Sequence, residues 1–215
     1  MSGRCLTPGQ LVRHALSFAE MRRWAVLCAG VIAASVAAPV PGADLIVAAA
    51  LGAASWLVAE SLLHRFVLHM PRPRARWLRR AHARLHWLHH KEPADPRLLF
   101  VPTWAALGLA GAAAAVGAAI GGPAAALGGA AGFALMFAVY EITHLAAHVP
   151  YRPRTALGAL MRRRHLAHHF KSERCWFGVT HPLIDMVLGT WPRPDAVPRS
   201  STVRDLFGDG GEPLE

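Results

Sequence analysis

The chain has 215 residues, of which 53% are hydrophobic and 17% charged, and its mean hydropathy is +0.28. This length suits a single domain, and the composition is apolar for a soluble enzyme. The formal net charge is +10, but the sequence contains no nucleic-acid-binding module, so we expect no nucleic-acid partner and assign the basic residues to anionic lipid headgroups.

Two long apolar tracts dominate the chain. Between residues 24 and 59 the only charged residue is Asp44, and residues 98–140 contain none. Each tract is longer than the roughly 20 residues of one bilayer crossing, and each has helix breakers near its middle, in the stretches PVPGAD and GGP. The pattern predicts two helical hairpins, although two buried hairpins of a soluble bundle remain an alternative. The predicted membrane spans are 24–40, 44–63, 103–120 and 124–143.

The basic residues avoid both hairpin tips. Of the 23 Lys and Arg, 4 precede Trp24, 9 lie between His64 and Pro102, and 10 follow His144. Because positive charge is retained on the cytoplasmic side, this distribution predicts that both termini and the middle segment are cytoplasmic. Arginine supplies 21 of the 23, which favours a GC-rich bacterial genome and hence a bacterial inner membrane.

The same pattern gives the expected organisation of the chain. The first apolar run begins only at Trp24, so we expect no cleaved signal peptide. We expect a cytosolic N-terminal segment at 1–23, a membrane domain at 24–190 and a C-terminal tail at 191–215.

Histidines cluster at the cytoplasmic ends of the predicted spans. Twelve of the 13 lie there, and the spacing H-x-x-H-H occurs twice. Helical residues three or four apart share a face, so His144 and His148 can face one metal ion. The last two histidines of each H-x-x-H-H set diverge by about 100°, which suits two neighbouring metals. His64 and His69, five apart, diverge by about 140° and require two metals or a helix bend.

The ligand type limits the chemistry. Imidazole favours Zn, Cu, Fe and Ni over Mg or Ca. A two-metal site of neutral nitrogen ligands facing a bilayer suits oxidation of an unactivated alkyl chain, which requires a redox metal and dioxygen. Zinc fits the same ligands in isolated protein but cannot cycle electrons, so we predict iron in function.

Five stretches carry a family resemblance: AESLLHRFVLH, HWLHHKEPADP, YEITHLAAH, RRRHLAHHFKSER and WFGVTHPLIDMVLGT. Together they span residues 59–190 and resemble the membrane fatty acid hydroxylase superfamily, which includes sterol desaturases and fatty acid 2-hydroxylases. The resemblance implies an all-α integral membrane protein, with two helical hairpins (four transmembrane helices) and a cytosolic helical cap that carries a histidine-rich di-metal site.

The resemblance also implies ten metal ligands in two sets of five. One metal is expected to bind His64, His69, His86, His90 and His168. The other is expected to bind His89, His144, His148, His165 and His169.

Five further residues lie near these ligands. Glu60, Glu141 and Asp185 are candidates to accept the far ring N–H of a ligating histidine, which would fix its tautomer; ordinary helix-end pairing with arginine is the alternative. His82 precedes His86 by one helical turn and could support it, although a basic interfacial helix is the favoured setting. The role of His181 stays open, and His14 is interpreted as incidental.

The expected activity is O2-dependent hydroxylation of a lipid acyl chain, of the fatty acid 2-hydroxylase type. A carotenoid hydroxylase or sterol-type desaturase on the same metal core is the alternative, and a metal transport or storage protein is a more distant one. The segments before the first span and after the LGT motif are too short for a fused cytochrome b5 domain. We therefore expect an external electron donor, which would be a separate cytochrome, ferredoxin or reductase.

Overall fold

The computed structural model describes residues 5–207, and that part of the chain is helical with no β-strand. An isolated bridge joins Leu6 to Tyr151. The predicted all-α class is therefore confirmed for these residues. The extreme ends, 1–4 and 208–215, on which the predicted cytoplasmic placement of the termini falls, lie outside the described residues.

Eight α-helices and two π-helical segments are described within residues 5–207. The α-helices are α1 (Pro8–Leu16), α2 (Ala19–Ala37), α3 (Gly42–Leu63), α4 (Arg76–His82), α5 (Leu88–Lys91), α6 (Thr103–His148), α7 (Ala156–Phe170) and α8 (Leu183–Val187). The π-helical segments, His64–Leu68 and Ala83–Trp87, continue α3 and α4 directly.

The chain divides into two compact units. The first, here called the histidine unit, comprises Met1–Leu11, Ala59–Phe100 and Thr143–Glu215. The second, the apolar unit, comprises Val12–Val58 and Val101–Ile142. All ten expected metal ligands belong to the histidine unit.

In the apolar unit, helix α6 contains a sharp break. Gly121 and Gly122 have non-helical backbone angles, and Gly122 has a φ of 66°, a region that glycine adopts without steric cost. Pro123 follows and cannot donate a backbone hydrogen bond. A Cβ on Gly117 would lie 2.5 Å from the carbonyl oxygen of Ala125, so the chain folds back at this point. The reversal predicted from the GGP stretch is confirmed.

Glycines allow α3 and the second arm of α6 to pack closely. A side chain on Gly132 would collide with the backbone of Ala49, and one on Gly52 with the carbonyl of Gly129. Such small-residue faces let two helix backbones approach directly. Beyond the glycines, the buried Trp56 ring lies 4.8 Å from the ring of Phe137 and 5.2 Å from that of Tyr140, so packing between the same two helices extends to these residues.

We expect Gly132→Ala to lower the stability of the folded chain by about 1–3 kcal/mol, because the added methyl group requires the helices to separate. Gly30 on α2 provides the matched control, since a Cβ there meets no atom within 4 Å and alanine favours a helix. Thermal unfolding in detergent compares the two variants. Equal melting temperatures would contradict the packing described here.

Two helical stretches, Gly42–Leu68 and Pro96–His148, are long and apolar enough to cross a membrane. Only 28% and 22% of their most apolar windows are buried, whereas a core helix of a soluble protein would be mostly buried. Val36, Leu51 and Ile120 are among the large apolar side chains exposed on this unit. The exposure favours a membrane setting over a soluble bundle. Helix α2 is not one of the two candidate stretches, and its first five residues include Glu20, Arg22 and Arg23.

Candidate metal centre

Ten buried or half-buried histidines of the histidine unit form two groups of five. In each group the facing ring nitrogens all lie within 4.8 Å of one another. The first group is His64, His69, His86, His90 and His168, and the second is His89, His144, His148, His165 and His169. The structure brings the ten histidines together in the same two sets that we expect from the sequence, and their binding of metal stays a prediction.

A π-helical turn brings His64 and His69 together. On an ideal α-helix their directions would differ by about 140°, but residues 64–68 form a π-helix, with the amide of His69 donating to the carbonyl of His64 at 3.0 Å. Hydrogen bonds from residue i+5 to i place both rings on the same side, with centroids 5.0 Å apart. The helix bend predicted as one solution is therefore present as a π-helical turn.

Each H-x-x-H-H sequence divides its histidines between the two groups. His86 and His90 join the first group, while the intervening His89 joins the second. On α7 the division is reversed, because His168 belongs to the first group and His165 and His169 to the second. The angular divergence of adjacent helical positions produces both divisions.

In the first group, three rings are oriented by backbone carbonyls. His64 donates its Nδ1–H to Phe177 at 2.6 Å, His168 to Cys175 at 2.7 Å, and His90 to Val203 at 3.0 Å. A carbonyl only accepts, so Nδ1 carries the proton in each ring, and Nε2 is left with its lone pair. These three rings are fixed in the tautomer that a metal ligand needs.

The facing Nε2 atoms test whether a metal fits. The Nε2 atoms of His90 and His168 lie 3.1 Å apart, yet both are lone-pair acceptors and cannot hydrogen-bond to each other. A cation between them resolves this repulsion. At a metal–nitrogen distance of about 2.0–2.1 Å, two ligands at right angles lie about 2.9 Å apart. The His69–His86 separation of 2.9 Å fits this value, so the donor set suits a divalent metal.

Burial keeps the imidazoles neutral. It lowers the pKa of His69, His86 and His168 well below the usual value, with further lowering from neighbouring imidazoles. The pKa of His90 falls to about 3, again through burial first. On the second group, burial lowers the pKa of His165 and His169 in the same direction. Neutral rings at pH 7 leave their lone pairs available to a cation.

The second group has the same close approach of ring nitrogens. Nε2 of His165 lies 2.8 Å from that of His148 and 3.1 Å from that of His169. Nε2 of His89 lies 3.1 Å from that of His144. A surface cavity of about 280 Å³ reaches His148, with Pro93, Arg162 and Phe170 also in its wall. This group is therefore next to the protein surface on the side of His148.

Two of the acids identified from the sequence hold the loop that orients the histidines. Asp185 accepts hydrogen bonds from the amides of Phe177 and Gly178 at 3.0 and 2.6 Å. Glu60 accepts from the amides of Val179 and Thr180. The ring N–H of His64 goes to the carbonyl of Phe177 rather than to Glu60, so the direct contact predicted for Glu60 is replaced by an indirect one through this loop.

We expect Asp185→Asn to lower unfolding stability by about 1–3 kcal/mol, because an amide cannot accept on both sides and leaves a buried donor unpaired. Metal affinity should fall by about 10–100-fold, since the loop carries the carbonyl partners of two ligands. Asp195→Asn is the control, because Asp195 forms an exposed pair with Arg193 of little energetic value. Thermal unfolding and metal titration of both variants test this, and equal behaviour would contradict it.

The remaining candidate residues have different settings. His82 is the last residue of the basic helix α4. Its side chain is buried, and its Nε2 donates to the carbonyl of Leu68, the neighbour of His69, at 2.7 Å. Glu141 accepts from the amide of Val101 at 2.9 Å. Nε2 of His181 lies 3.8 Å from Oε1 of Glu60. His14 lies outside both histidine groups, on α1.

Sequence reasoning did not identify the carbonyl groups as orienting partners. Trp176 lies between two of them and has a φ of 61°, which is uncommon for a bulky residue. Its amide donates to the carbonyl of Thr190 at 2.9 Å, and its indole to that of Pro192 at 3.0 Å. No residue pattern signals this backbone geometry.

Two clusters of five histidines that could hold metal ions, in a helical chain with two stretches apolar enough to cross a membrane, define a candidate membrane metalloprotein. The model of the fatty acid hydroxylase family matches residues 49–190. Dihydroceramide fatty acyl 2-hydroxylase FAH2 of Arabidopsis thaliana is 34% identical over 180 residues, which are 79% of this chain and 70% of that protein. The chain belongs to the fatty acid hydroxylase family and is an oxidoreductase.

One further relative and one solved structure are also similar to this chain. Fatty acid 2-hydroxylase of Rattus norvegicus is 30% identical over 151 residues, which are 69% of this chain and 40% of the rat protein. A solved structure of full-length Scs7p, with only its hydroxylase domain visible, has a TM-score of 0.73 and 24% identity, covering 83% of this chain and 67% of that one. The structural match shows a shared fold.

Proposed function

We propose that this chain hydroxylates carbon 2 of a long lipid acyl chain, using dioxygen and two iron ions. The observation that carries the proposal is the pair of buried five-histidine groups, in a chain whose relatives include fatty acid 2-hydroxylases. Iron bound there would supply the activation of dioxygen that protein side chains lack. Electrons would come from a separate cytochrome, ferredoxin or reductase.

The chain's own residues contribute orientation and exclusion of water. Carbonyls of the 175–177 loop hold His64 and His168 in one tautomer, and burial of the rings keeps them neutral. His90 and His168 are completely buried, so the protein excludes water from the rings that would hold the iron.

The position of the ligands along their helices supports attack near the carboxyl end. His64 follows the last residue of α3, and His144 and His148 lie in the last turns of α6. If these helices span the bilayer, an acyl chain anchored at the same boundary presents its first carbons at that depth. The basic stretches Arg72–Arg84 and Arg152–Arg164 would hold an acidic headgroup at the surface.

The proposed topology has four spans, with both termini in the cytoplasm of a bacterial inner membrane. Single cysteines at Gly42 and Gly122 should react with an impermeant thiol reagent added to intact cells, because the hairpin tips lack basic residues. Cysteines at Arg76 and Arg163 should react only after the membrane is opened. Labelling of either arginine position in intact cells would reject this topology.

Lipid analysis of a deletion strain tests the reaction in the cell. Strains with the gene should contain 2-hydroxy acyl chains that disappear on deletion and return with the intact gene, but not with a His169→Ala copy. A strain that instead loses oxygenated carotenoids or unsaturated sterol-type lipids would assign the chain to the alternative branch. Two tightly held ions per purified chain would argue against metal transport.

A further inference from the structure

Residues 200–207, here called the C-terminal strap, contact the metal centre. The carbonyl of Val203 accepts the Nδ1–H of His90 at 3.0 Å, and Val203 is only 3% exposed. The strap lies beyond residue 190, where the match to the family model ends, in the segment that sequence reasoning treats as a tail. End segments are poorly ordered unless something fixes them, so its anchors decide whether it can orient a ligand.

One anchor joins the strap to α5, the helix that carries His90. Arg204 donates from Nε to the carbonyl of His90 at 3.0 Å and from Nη2 to that of Lys91 at 2.5 Å. These carbonyls lie at the end of α5, where a helix leaves acceptors unpaired and favours a cation. The Phe207 ring also lies 4.5 Å from that of Trp87. The strap is therefore fixed to the backbone of the residue whose ring it orients.

The other anchor joins the strap to the end of α7, the helix that carries His168. The amide of Ser200 donates to the carbonyl of Lys171 at 2.8 Å. Glu173 is buried and accepts from Ser200 Oγ at 2.9 Å and Thr202 Oγ1 at 2.6 Å. The strap thus links the ends of two helices whose histidines, His90 and His168, face each other at 3.1 Å.

We propose that the C-terminal strap is a positioning element of the first metal group, which holds His90 in its metal-binding tautomer through the carbonyl of Val203. The inference rests on the proposed metal centre. Without that carbonyl, no acceptor favours the tautomer with the proton on Nδ1. The proton can then move to Nε2, which leaves that nitrogen without a lone pair for a metal. The other two carbonyl-oriented ligands of the group, His64 and His168, use the separate 175–177 loop and keep their partners.

Two truncations of the chain test the proposal directly. One ends at Arg199 and lacks the strap, and the control ends at Phe207 and keeps every contact described. Each protein is purified in detergent, loaded with Co²⁺ or Fe²⁺ and challenged with a chelator, and bound ions per chain are counted. We expect the shorter chain to retain one ion as the full chain does and to bind the other about 10–100-fold more weakly. The control should retain both.

Point variants separate positioning from folding. Thr202→Val keeps the side-chain shape but loses the donor to Glu173, whereas Thr202→Ser keeps the donor. Arg204→Ala removes both bonds to α5, and Arg204→Lys keeps one cation there. We expect Thr202→Val and Arg204→Ala to lower the affinity for one of the two ions several-fold and to change the visible spectrum of the cobalt-loaded protein. The conservative variants Thr202→Ser and Arg204→Lys should retain most of this affinity and most of the original spectrum.

Three outcomes would overturn the proposal: retention of both ions by the chain that ends at Arg199, loss of both ions together, or an unchanged cobalt spectrum in Arg204→Ala. Loss of both ions overturns the proposal whether or not the melting temperature of the metal-free protein falls, because the strap would then stabilise the fold as a whole rather than position one ligand. A full chain that holds two ions but forms no hydroxylated product would refute the proposed function and leave this test intact.

Discussion

His168→Ala should abolish product formation and release metal, with a loss of at least about 100-fold in metal affinity. The Nε2 atom of His168 lies 3.1 Å from those of both His90 and His69, so this ring is central to the first group. The ring is fully buried and anchored to the carbonyl of Cys175. Its removal leaves an open metal position and a cavity that neighbouring rings can enter.

The matched control is His14→Ala, which lies on α1 and outside both groups. Activity and ions per chain should equal those of the unmodified protein. His169→Ala extends the test to the second group and should also abolish activity, because hydroxylation is proposed to need both ions. Full activity of either His168→Ala or His169→Ala would show that the H-x-x-H-H sequence of α7 does not supply metal ligands.

Metal exchange should have an equally large effect. Protein stripped with a chelator should lose all activity and regain it with Fe²⁺, while Zn²⁺ should bind without restoring activity, because zinc does not change oxidation state. Product formed per ion bound, measured with excess reductant and dioxygen, compares the two reconstituted proteins. Equal activity with zinc would contradict an oxidative mechanism.

Metal loading should also raise the melting temperature, since an ion that binds only the folded state stabilises it. Facing lone pairs such as those of His90 and His168 make the metal-free site unfavourable, so the increase should be large. In His168→Ala the increase should shrink. A melting temperature that does not change on loading in the unmodified chain would argue against the site.

Much of the site followed from histidine spacing, because side-chain direction on an α-helix is fixed by residue number. That geometry assigned His144 and His148 to one face and divided His89 from His90. It could not decide on which side His69 lies, since the π-helical turn at residues 64–68 depends on packing that no local pattern encodes. The ten expected ligands and the five-and-five split came from the family resemblance, whereas the membership of each set was our own assignment. The structure brings the same histidines together, and metal binding by them stays a prediction.

The fold was predictable where glycine and proline limit the backbone. The reversal at Gly121 and Gly122 follows from two residues without a Cβ that precede a proline. The carbonyl acceptors at Cys175, Phe177 and Val203 were not predictable, because every residue has a carbonyl and only the tertiary fold directs it. The C-terminal strap was missed for the same reason, since its sequence resembles an ordinary polar tail.

The most direct test of the central claim follows the oxygen atom. Purified protein loaded with Fe²⁺ is incubated with ¹⁸O-labelled dioxygen, reductant and a lipid extract, and the released acids are examined by mass spectrometry. We predict one ¹⁸O atom per product in a 2-hydroxy acid, absent with His168→Ala. A new double bond without ¹⁸O, or ¹⁸O found only on an isoprenoid ring, would contradict acyl 2-hydroxylation.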